Sequence, residues 1–333
     1  MSRLNELRLI ARVAQMYHLE GRRQAEIAQH LRISQATVSR MLRKAEEEEI
    51  VRTTIATPSG IYTDLETALR EQYGLSEAFV VECSEDRDGA IMSRIGEAAA
   101  HFLEATLQSN EIIGVSSWSE TILKMVENIH PSKTAKAKLI VQTLGGMGDP
   151  AVQTHATQLI TRLARLTGAE PRLLTAQGVA SSREAKLVML ADPYVRETMD
   201  LFPKLSLAIL GIGGIEPSSM LARSGNVFST REMQDVKDAG GVGEFSLCFF
   251  DAEGRPVKTP LSDRVIGISR EELARCERVL ALAGGRAKTE AIRGALKTGV
   301  IDLLITDKFT AARLVGQAEA ALMEDDNVAS FRR

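Results

Sequence analysis

The chain has little of what most chemical sites are built from. Its three cysteines, Cys83, Cys248 and Cys276, are odd in number, far apart and set in apolar runs. That pattern argues against a disulfide framework or a thiolate metal site and for buried thiols in a reducing compartment. Five histidines show no paired ligand spacing, and Trp118 is the only tryptophan. No metal or cofactor is expected from these residues. The longest apolar run, LSLAILGIGGI at 205–215, is too short to span a bilayer. Charges at Arg3, Glu6, Arg8 and Arg12 break any signal-peptide core. A soluble, cytoplasmic protein with no membrane partner is the expectation.

What is present is a two-part chain. Its 333 residues exceed one small module and suggest about two domains, and a hydrophobic content of 44% supports a large core. The net charge of −3 hides an asymmetry: residues 1–45 hold nine Lys/Arg against Glu6, Glu20 and Glu26, leaving the head at +6 and the remainder at −9. A basic head on an acidic body is the split expected when only the head meets phosphates.

In the head, AEIAQHLRISQATVSRMLRKA (25–45) sets polar residues between evenly spaced apolar ones. Leu7, Ile10, Ala11, Ala14 and Tyr17 mark one face of a first helix, and Ile27, Ala28 and Leu31 that of a short second helix. Ser34 is an N-cap for a third, on which Val38, Met41, Leu42 and Ala45 point inward. The short gap Arg32–Ile33–Ser34 forces a steep crossing, which is the helix-turn-helix pattern. Arg32 stands where glycine is usual, so strain is expected there. The outward set on the third helix is Gln35, Ala36, Thr37, Ser39, Arg40, Arg43 and Lys44. Gln pairs with adenine, Ala and Thr methyls touch thymine, and Arg reads guanine, so Gln35, Ala36, Thr37 and Arg40 suit base edges. Ser39, Arg43 and Lys44 suit phosphates. Glu46–Glu49 then end the phosphate-contacting surface. Val51, Thr53 and Ile55 alternate like a short strand, and TPSG (57–60) reads as a linker, giving a DNA-binding head at 1–57 and an effector body at 58–333.

After residue 60 strand-like and helix-like segments alternate. Strands are expected at 78–83, 111–116, 138–144, 171–176, 207–212, 245–250, 278–284 and 303–307, with helices at 88–108, 150–167, 182–202, 286–298 and 308–323. The fold class is α/β: a small all-α head, then a mostly parallel, doubly wound sheet covered on both faces. Ligands in such sheets sit beyond the carboxyl ends of strands. GVSSWSET (114–121), LGGMGDP (144–150), GIGG (211–214) and AGGRAK (283–288) have the composition for it. Exposed amides and small side chains at a helix start suit an anion, and Lys288 in a helical first turn is explained by an anionic ligand. The dinucleotide fingerprint fails, because the third glycine position after Gly211 and Gly213 is Glu216.

TVSRMLRKAEEEEIV, LREQYGLSEAFVV, IIGVSSWSET, VQTLGGMGDP, LAILGIGG, GGVGEFSLCFFDAEGRPV and LALAGGRAKTEAIRGALKTGVIDLLITD, in this order, resemble the SorC family of sugar-binding bacterial transcriptional regulators over essentially the whole length. The resemblance implies an effector domain akin to sugar-phosphate isomerases and deaminases, usually in a homotetramer. It also implies that a sugar, polyol or sugar-phosphate effector alters the affinity for double-stranded operator DNA. Carried over by position, the pocket is lined by Gly114, Ser116, Ser117, Trp118 and Thr121, by Leu144, Gly145 and Gly146, by Gln153, Thr154 and His155, and by Glu244 and Lys288. Ser116, Ser117 and Thr121 would hold an anionic end with Lys288 as countercharge, and Glu244 would accept from sugar hydroxyls. Trp118 either stacks on a sugar face or packs. Leu144 replaces a basic residue found in some relatives, and Ser-Trp-Ser replaces Trp-Gly, which leaves an unphosphorylated polyol or sugar open.

The competing reading is a sugar-phosphate isomerase or deaminase with an added head. It needs a positioned acid/base pair. His155 and Glu244 are the candidates, and nothing in the sequence brings them together. General nucleic-acid packaging fits poorly with an acidic body. A ligand-responsive regulator of a carbohydrate or polyol catabolic operon, not an enzyme, is the reading carried forward.

Overall fold

The computed structural model describes residues 3–51, 58, 60–132, 136–146, 150–216 and 229–317; the side chains of 150–153 and 155 lie outside the description. The chain divides into two compact units, 1–57 and 58–333.

The first unit is three helices: α1 (Arg3–His18), α2 (Gln24–Leu31) and α3 (Gln35–Glu47). They close on a core of Ile10, Val13, Ala14, Met16, Ile27, Ala28, Val38, Leu42 and Ala45. The α1 face is rotated from the expected one. Val13 and Met16 are fully buried, whereas Ala11 and Tyr17 are exposed, because α1 packs mainly across α3 and turns its larger apolar residues into that crossing. The turn is as strained as its sequence implies. Arg32 is left-handed (φ 54°, ψ 43°) and its N–H closes α2 on the carbonyls of Ala28 and Gln29. Ser34 starts α3, its hydroxyl accepting from the Thr37 amide at 3.1 Å. Residues 52–57, which hold most of the Val51–Ile55 alternation, and part of the linker lie outside the described residues.

The second unit runs α4 (Thr63–Tyr73), β1 (Glu77–Val81), α5 (Asp88–Thr106), β2 (Ile112–Val115), α6 (Glu120–Asn128), β3 (Leu139–Gln142), α7 (Pro150–Thr167), β4 (Glu170–Arg172), α8 (Arg183–Ala191), α9 (Pro193–Met199), β5 (Leu207–Gly211), β6 (Gly213–Gly214), α10 (Thr230–Asp238), β7 (Gly241–Phe245), β8 (Cys248–Asp251), α11 (Arg270–Leu273), β9 (Arg278–Leu282), α12 (Thr289–Lys297), β10 (Leu303–Asp307) and α13 (Lys308–Val315). Seven strands form a fully parallel sheet in the order β1-β10-β9-β5-β2-β3-β4, and β6-β7-β8 form a small antiparallel sheet. β3 and β10 are buried at every residue, which is why they read as unbroken apolar runs: helices cover both faces.

Four expectations need correction. Residues 245–250 are not one strand but the end of β7, a two-residue turn at Ser246–Leu247 and the start of β8. The run 182–202 is two helices, because Pro193 cannot continue α8; Asp192 caps α9 by accepting from the amides of Tyr194 (2.9 Å) and Val195 (3.2 Å). The helix after β9 begins at Thr289, and Lys288 sits in the 3₁₀ turn Arg286–Lys288 before it. The strand expected at 171–176 shrinks to Glu170–Arg172, and residues beyond 317 of the last helical run lie outside the described residues.

The sheet order positions the site. From β2 the chain steps outward through β3 and β4, then returns to lay β5 on the other side of β2. Loops leaving β2 and β5 therefore diverge, and a crevice opens at their carboxyl ends.

Replacing Arg32 by glycine should remove the left-handed penalty while adding unfolded-state entropy. We expect a net gain of about 0.5 kcal/mol in head stability, read by calorimetry of the full chain; a lower head transition would contradict the strain assigned to this turn.

Candidate functional site

On α3 the side chains of Gln35, Ala36, Ser39, Arg40 and Arg43 are exposed, while Thr37 and Lys44 are half-buried. Thr37 is held in the capping network: its hydroxyl lies 2.8 Å from that of Ser34 and accepts from Arg40 Nη2 at 3.4 Å. This draws the Arg40 guanidinium over the first turn, the part of a recognition helix that faces base edges. Lys44 donates to Glu6 on α1 at 2.6 Å, which raises its pKa and lowers that of Glu6. Its ammonium is therefore shared between a carboxylate and any phosphate.

In the second unit a cavity of about 120 Å³ opens at the β2/β5 switch point. Ser116, Trp118 and Glu120 reach it from the β2 loop, Leu144 from the β3 loop, and residues 211–214 and Glu216 from the β5 loop. Glu244 and Ser246 arrive on the β7–β8 hairpin, and Lys288 on the turn after β9. Of the residues named from sequence, Ser116, Trp118, Leu144, Glu244 and Lys288 are thus brought together.

The others have structural roles or different surroundings. Gly114 lies inside β2, where an added Cβ would sit 2.6 Å from Leu205 Cδ1. Ser117 is buried and accepts from Gln142 Nε2 at 3.2 Å, and Thr121 is buried in the first turn of α6. The amides of Gly145 and Gly146 donate to the carbonyls of Ile266 (3.1 Å) and Ala176 (2.9 Å). Thr154 is exposed on α7, and the side chains of Gln153 and His155 lie outside the described residues. Trp118 packs: it is 5% exposed, its indole N–H donates to the Gly145 carbonyl at 3.1 Å, and its ring lies where a side chain at residue 146 would stand. The Ser116 amide donates to Ile209 at 3.0 Å, so that residue offers its hydroxyl.

Sequence reasoning named the 114–121 and 211–214 loops without singling out Ser119 or Gly213, and it missed Ser246. Ser119 caps α6 through the Ile122 amide at 3.4 Å and also lines the cavity. Its signal was legible, a serine just before a helix. Gly213 pairs with Glu244 across β6–β7, and its missing side chain makes room for the carboxylate. Glu244 accepts from the Leu247 amide at 2.8 Å. Burial pushes its pKa up to about 6, against the opposing pull of that amide and of Lys288. Lys288 is half-buried on a turn anchored through the Gly285 amide, which donates to Asp307 Oδ2 (3.1 Å) and Thr310 Oγ1 (2.8 Å). Such a set has the chemistry to hold hydroxyls: an acceptor carboxylate, a donor ammonium and serine hydroxyls around a small cavity. Among the described residues no cluster suits a metal ion, and no helix is long and apolar enough to cross a membrane.

A helix-turn-helix in one unit and a small polar cavity at a sheet switch point in the other are the parts expected of a ligand-responsive transcriptional regulator. Residues 60–316 match the family model described as "Putative sugar-binding domain". The chain is 30% identical over 302 residues to the deoxyribonucleoside regulator of Bacillus subtilis, covering 91% of this chain and 95% of that one. It is 31% identical over 312 residues to the erythritol catabolism regulatory protein EryD of Brucella abortus, covering 93% and 96%. The crystal structure of the full-length sorbitol operon regulator SorC from Klebsiella pneumoniae superposes with a TM-score of 0.70 at 26% identity, covering 93% and 99%. The chain belongs to the SorC family of sugar-binding transcriptional regulators.

The raised Glu244 pKa sets a pH dependence. Its protonated form is favoured in the folded state, so this contribution is fully present below pH 4.5 and lost as pH rises through about 6. Relative to Glu244→Gln, the native chain should lose about 2 kcal/mol of stability across that window. Denaturant unfolding at stepped pH checks this; parallel curves for the two proteins would place the carboxylate in water.

Proposed function

We propose that this regulator binds a two-fold operator through α3 and changes its operator affinity when a sugar, polyol or sugar phosphate occupies the β2/β5 cavity. The observation that carries the reading is the convergence of Glu244, Lys288 and Ser116 at the switch point of a domain that follows a helix-turn-helix. The relatives are named for sorbitol, erythritol and deoxyribonucleoside systems, which supports control of a carbohydrate or polyol catabolic operon. One small helix-turn-helix makes too few contacts for tight specific binding, so two act together in an assembly of at least a dimer, and a tetramer is the form proposed. The site is a cytoplasmic sensor, not a catalyst: its groups suit binding, and regulation requires no turnover.

A thermal-shift screen of sugars, polyols and their phosphates, followed by gel shift with promoter DNA, tests the whole reading. A ligand at about 100 times its Kd adds about 2.7 kcal/mol of stability. Turnover of a candidate sugar, or no effect of any binder on DNA occupancy, would favour the isomerase-like alternative.

Two sets of variants separate the sites. Arg40→Ala should lose about 1–3 kcal/mol and relax preference at one base pair per half-site, whereas Arg43→Ala should weaken all sequences alike and reduce the salt slope by about one. Competition binding at several salt concentrations reads both.

Lys288→Ala should keep operator affinity without effector and lose the response. Moving DNA from nearly full to nearly empty needs about 10⁴-fold preference for one state, which is only about tenfold per site over four subunits. A modest affinity loss is therefore enough. Effector titration of the operator-bound variant is the check, and a response curve like that of the parent would remove Lys288 from the pocket.

A further inference from the structure

Lys308 is an unexpected residue for its position. It opens α13, where the helix dipole disfavours a cation, and it is only 3% exposed, where burial penalises the charge again. Its ammonium lies 2.8 Å from Glu82 Oε1 and 5.8 Å from the centre of the Tyr62 ring. The Tyr62 hydroxyl donates to the other oxygen of the same carboxylate. Tyr62 stands just after the boundary between the two units, as the residue that precedes α4. The chain before it also passes Glu82, since a Cβ at Gly60 would sit 3.9 Å from Glu82 Cβ. The first segment beyond the helix-turn-helix unit is thus pinned to a buried cation. A buried ion pair is a poor way to fix a fold, because apolar side chains of similar volume often do so as well or better.

Both sides of this clasp lead to the turn that carries Lys288. Asp307, next to Lys308 and fully buried, accepts from the Gly285 amide at 3.1 Å, and the Thr310 hydroxyl accepts from the same amide at 2.8 Å. Gly285 starts the turn from which Lys288 reaches the cavity. On the other side, Glu82 and Asp86 lie on the loop leaving β1. Asp86 pairs with Arg286 of the Lys288 turn at 3.0 Å and with Arg313 of α13 at 2.9 Å. A shift of the turn therefore loads α13 and the β1 loop together, and Lys308–Glu82 is one of the contacts that join them. We propose that the Tyr62–Glu82–Lys308 clasp is a regulatory latch, whose hold on the end of the linker differs between the effector-bound and effector-free forms. The latch rests on the effector reading of the cavity. Packed, ion-paired elements of this kind take discrete arrangements, so a small displacement at Lys288 is read as held or released.

Two variants separate a latch from a structural prop. Tyr62→Phe keeps the ring over Lys308 and removes only the hydroxyl. Glu82→Leu combined with Lys308→Met removes both charges, so neither is left buried alone. The probes are erythritol, sorbitol and 2-deoxyribose 5-phosphate, used with the full chain and promoter DNA in competition binding. Each variant should melt within about 4 °C of the parent and bind the probe with a Kd within about twofold of the parent's. For a probe that shifts the parent's DNA affinity, the shift should fall by up to about tenfold in Tyr62→Phe, which loses one hydrogen bond to a charged group. In the double variant it should vanish. Hydrogen exchange across residues 60–65 should change when the probe is added to the parent and stay constant in the double variant. Variants that keep the parent's DNA response, or parent exchange at 60–65 that ignores the probe, make the clasp structural and leave the effector site standing. Loss of probe binding itself in either variant would make the clasp a support of the pocket and overturns the latch as well. A parent whose DNA affinity answers to no sugar, polyol or sugar phosphate overturns the effector reading and the latch with it.

Discussion

The pairing of β2 with β5 is the constraint on which the second unit depends. Both strands run parallel and sit side by side, yet the chain leaves them toward opposite halves of the sheet. The loop after β2 turns into α6 and the loop after β5 turns into β6, so neither covers the ground between them. Backbone geometry alone makes this gap, and side chains then give it chemistry. Gly211 and Gly213 keep the β5 side thin: a Cβ at residue 211 would sit 2.5 Å from Ser119 Oγ, and one at 213 would meet the Glu244 carboxylate. The small antiparallel sheet hangs on this thin edge, because β6 is its first strand. Through it Glu244 and Ser246, remote in sequence, are carried to the mouth of β2.

Charge in the cavity is unevenly divided. Among the described lining residues Glu120, Glu216 and Glu244 stand against Lys288. Glu244 is half-buried, and neutral pH lies above its pKa of about 6, so it is ionised there at a desolvation cost that Lys288 and the Leu247 amide partly offset. A hydroxyl donating to that carboxylate adds the hydrogen bond it lacks, and bound hydroxyls therefore stabilise the ionised form. If the proposed effector reaches this carboxylate, its affinity and the protonation of Glu244 are linked, with hydroxyl binding favoured above about pH 6.

Much of this was legible in the sequence, for reasons that also mark the limit. β3, β5, β9 and β10 are buried on both faces and read as apolar runs; Ser34 is a short polar residue at a helix start and caps it at Thr37. Glu244, Lys288 and Ser116 were named because the family resemblance put them in the pocket, and the loop compositions after β2 and β9 agreed. The hairpin at 245–250 was not legible: Phe245, Phe249 and Phe250 are buried as in a continuous strand, and Ser246–Leu247 lacks the glycine or asparagine that announces such a turn. Ser246 was missed for the same reason. Val13 and Met16 took the place of Ala11 and Tyr17 because a helical pattern gives a face and its neighbours decide its rotation.

Strain is distributed in a way that bears on function. Among the described residues five non-glycines have positive φ, and three of them, Arg32, Ser246 and Leu247, lie in the turns that set the recognition helix and the cavity wall. A turn made from glycine would be cheaper and looser. At Arg32 the side chain is exposed, on the short connection that leads into α3, and it adds one more cation to the basic unit. At Leu247 the side chain binds the hairpin tip into the cluster around Trp118 and Leu144, so the turn moves only if that cluster moves. Because Glu244 holds the Leu247 amide, a ligand that competes for the carboxylate acts directly on a strained, well-packed element. Packed elements of this kind respond in steps more readily than in proportion, which is the mechanical property a ligand-dependent switch requires.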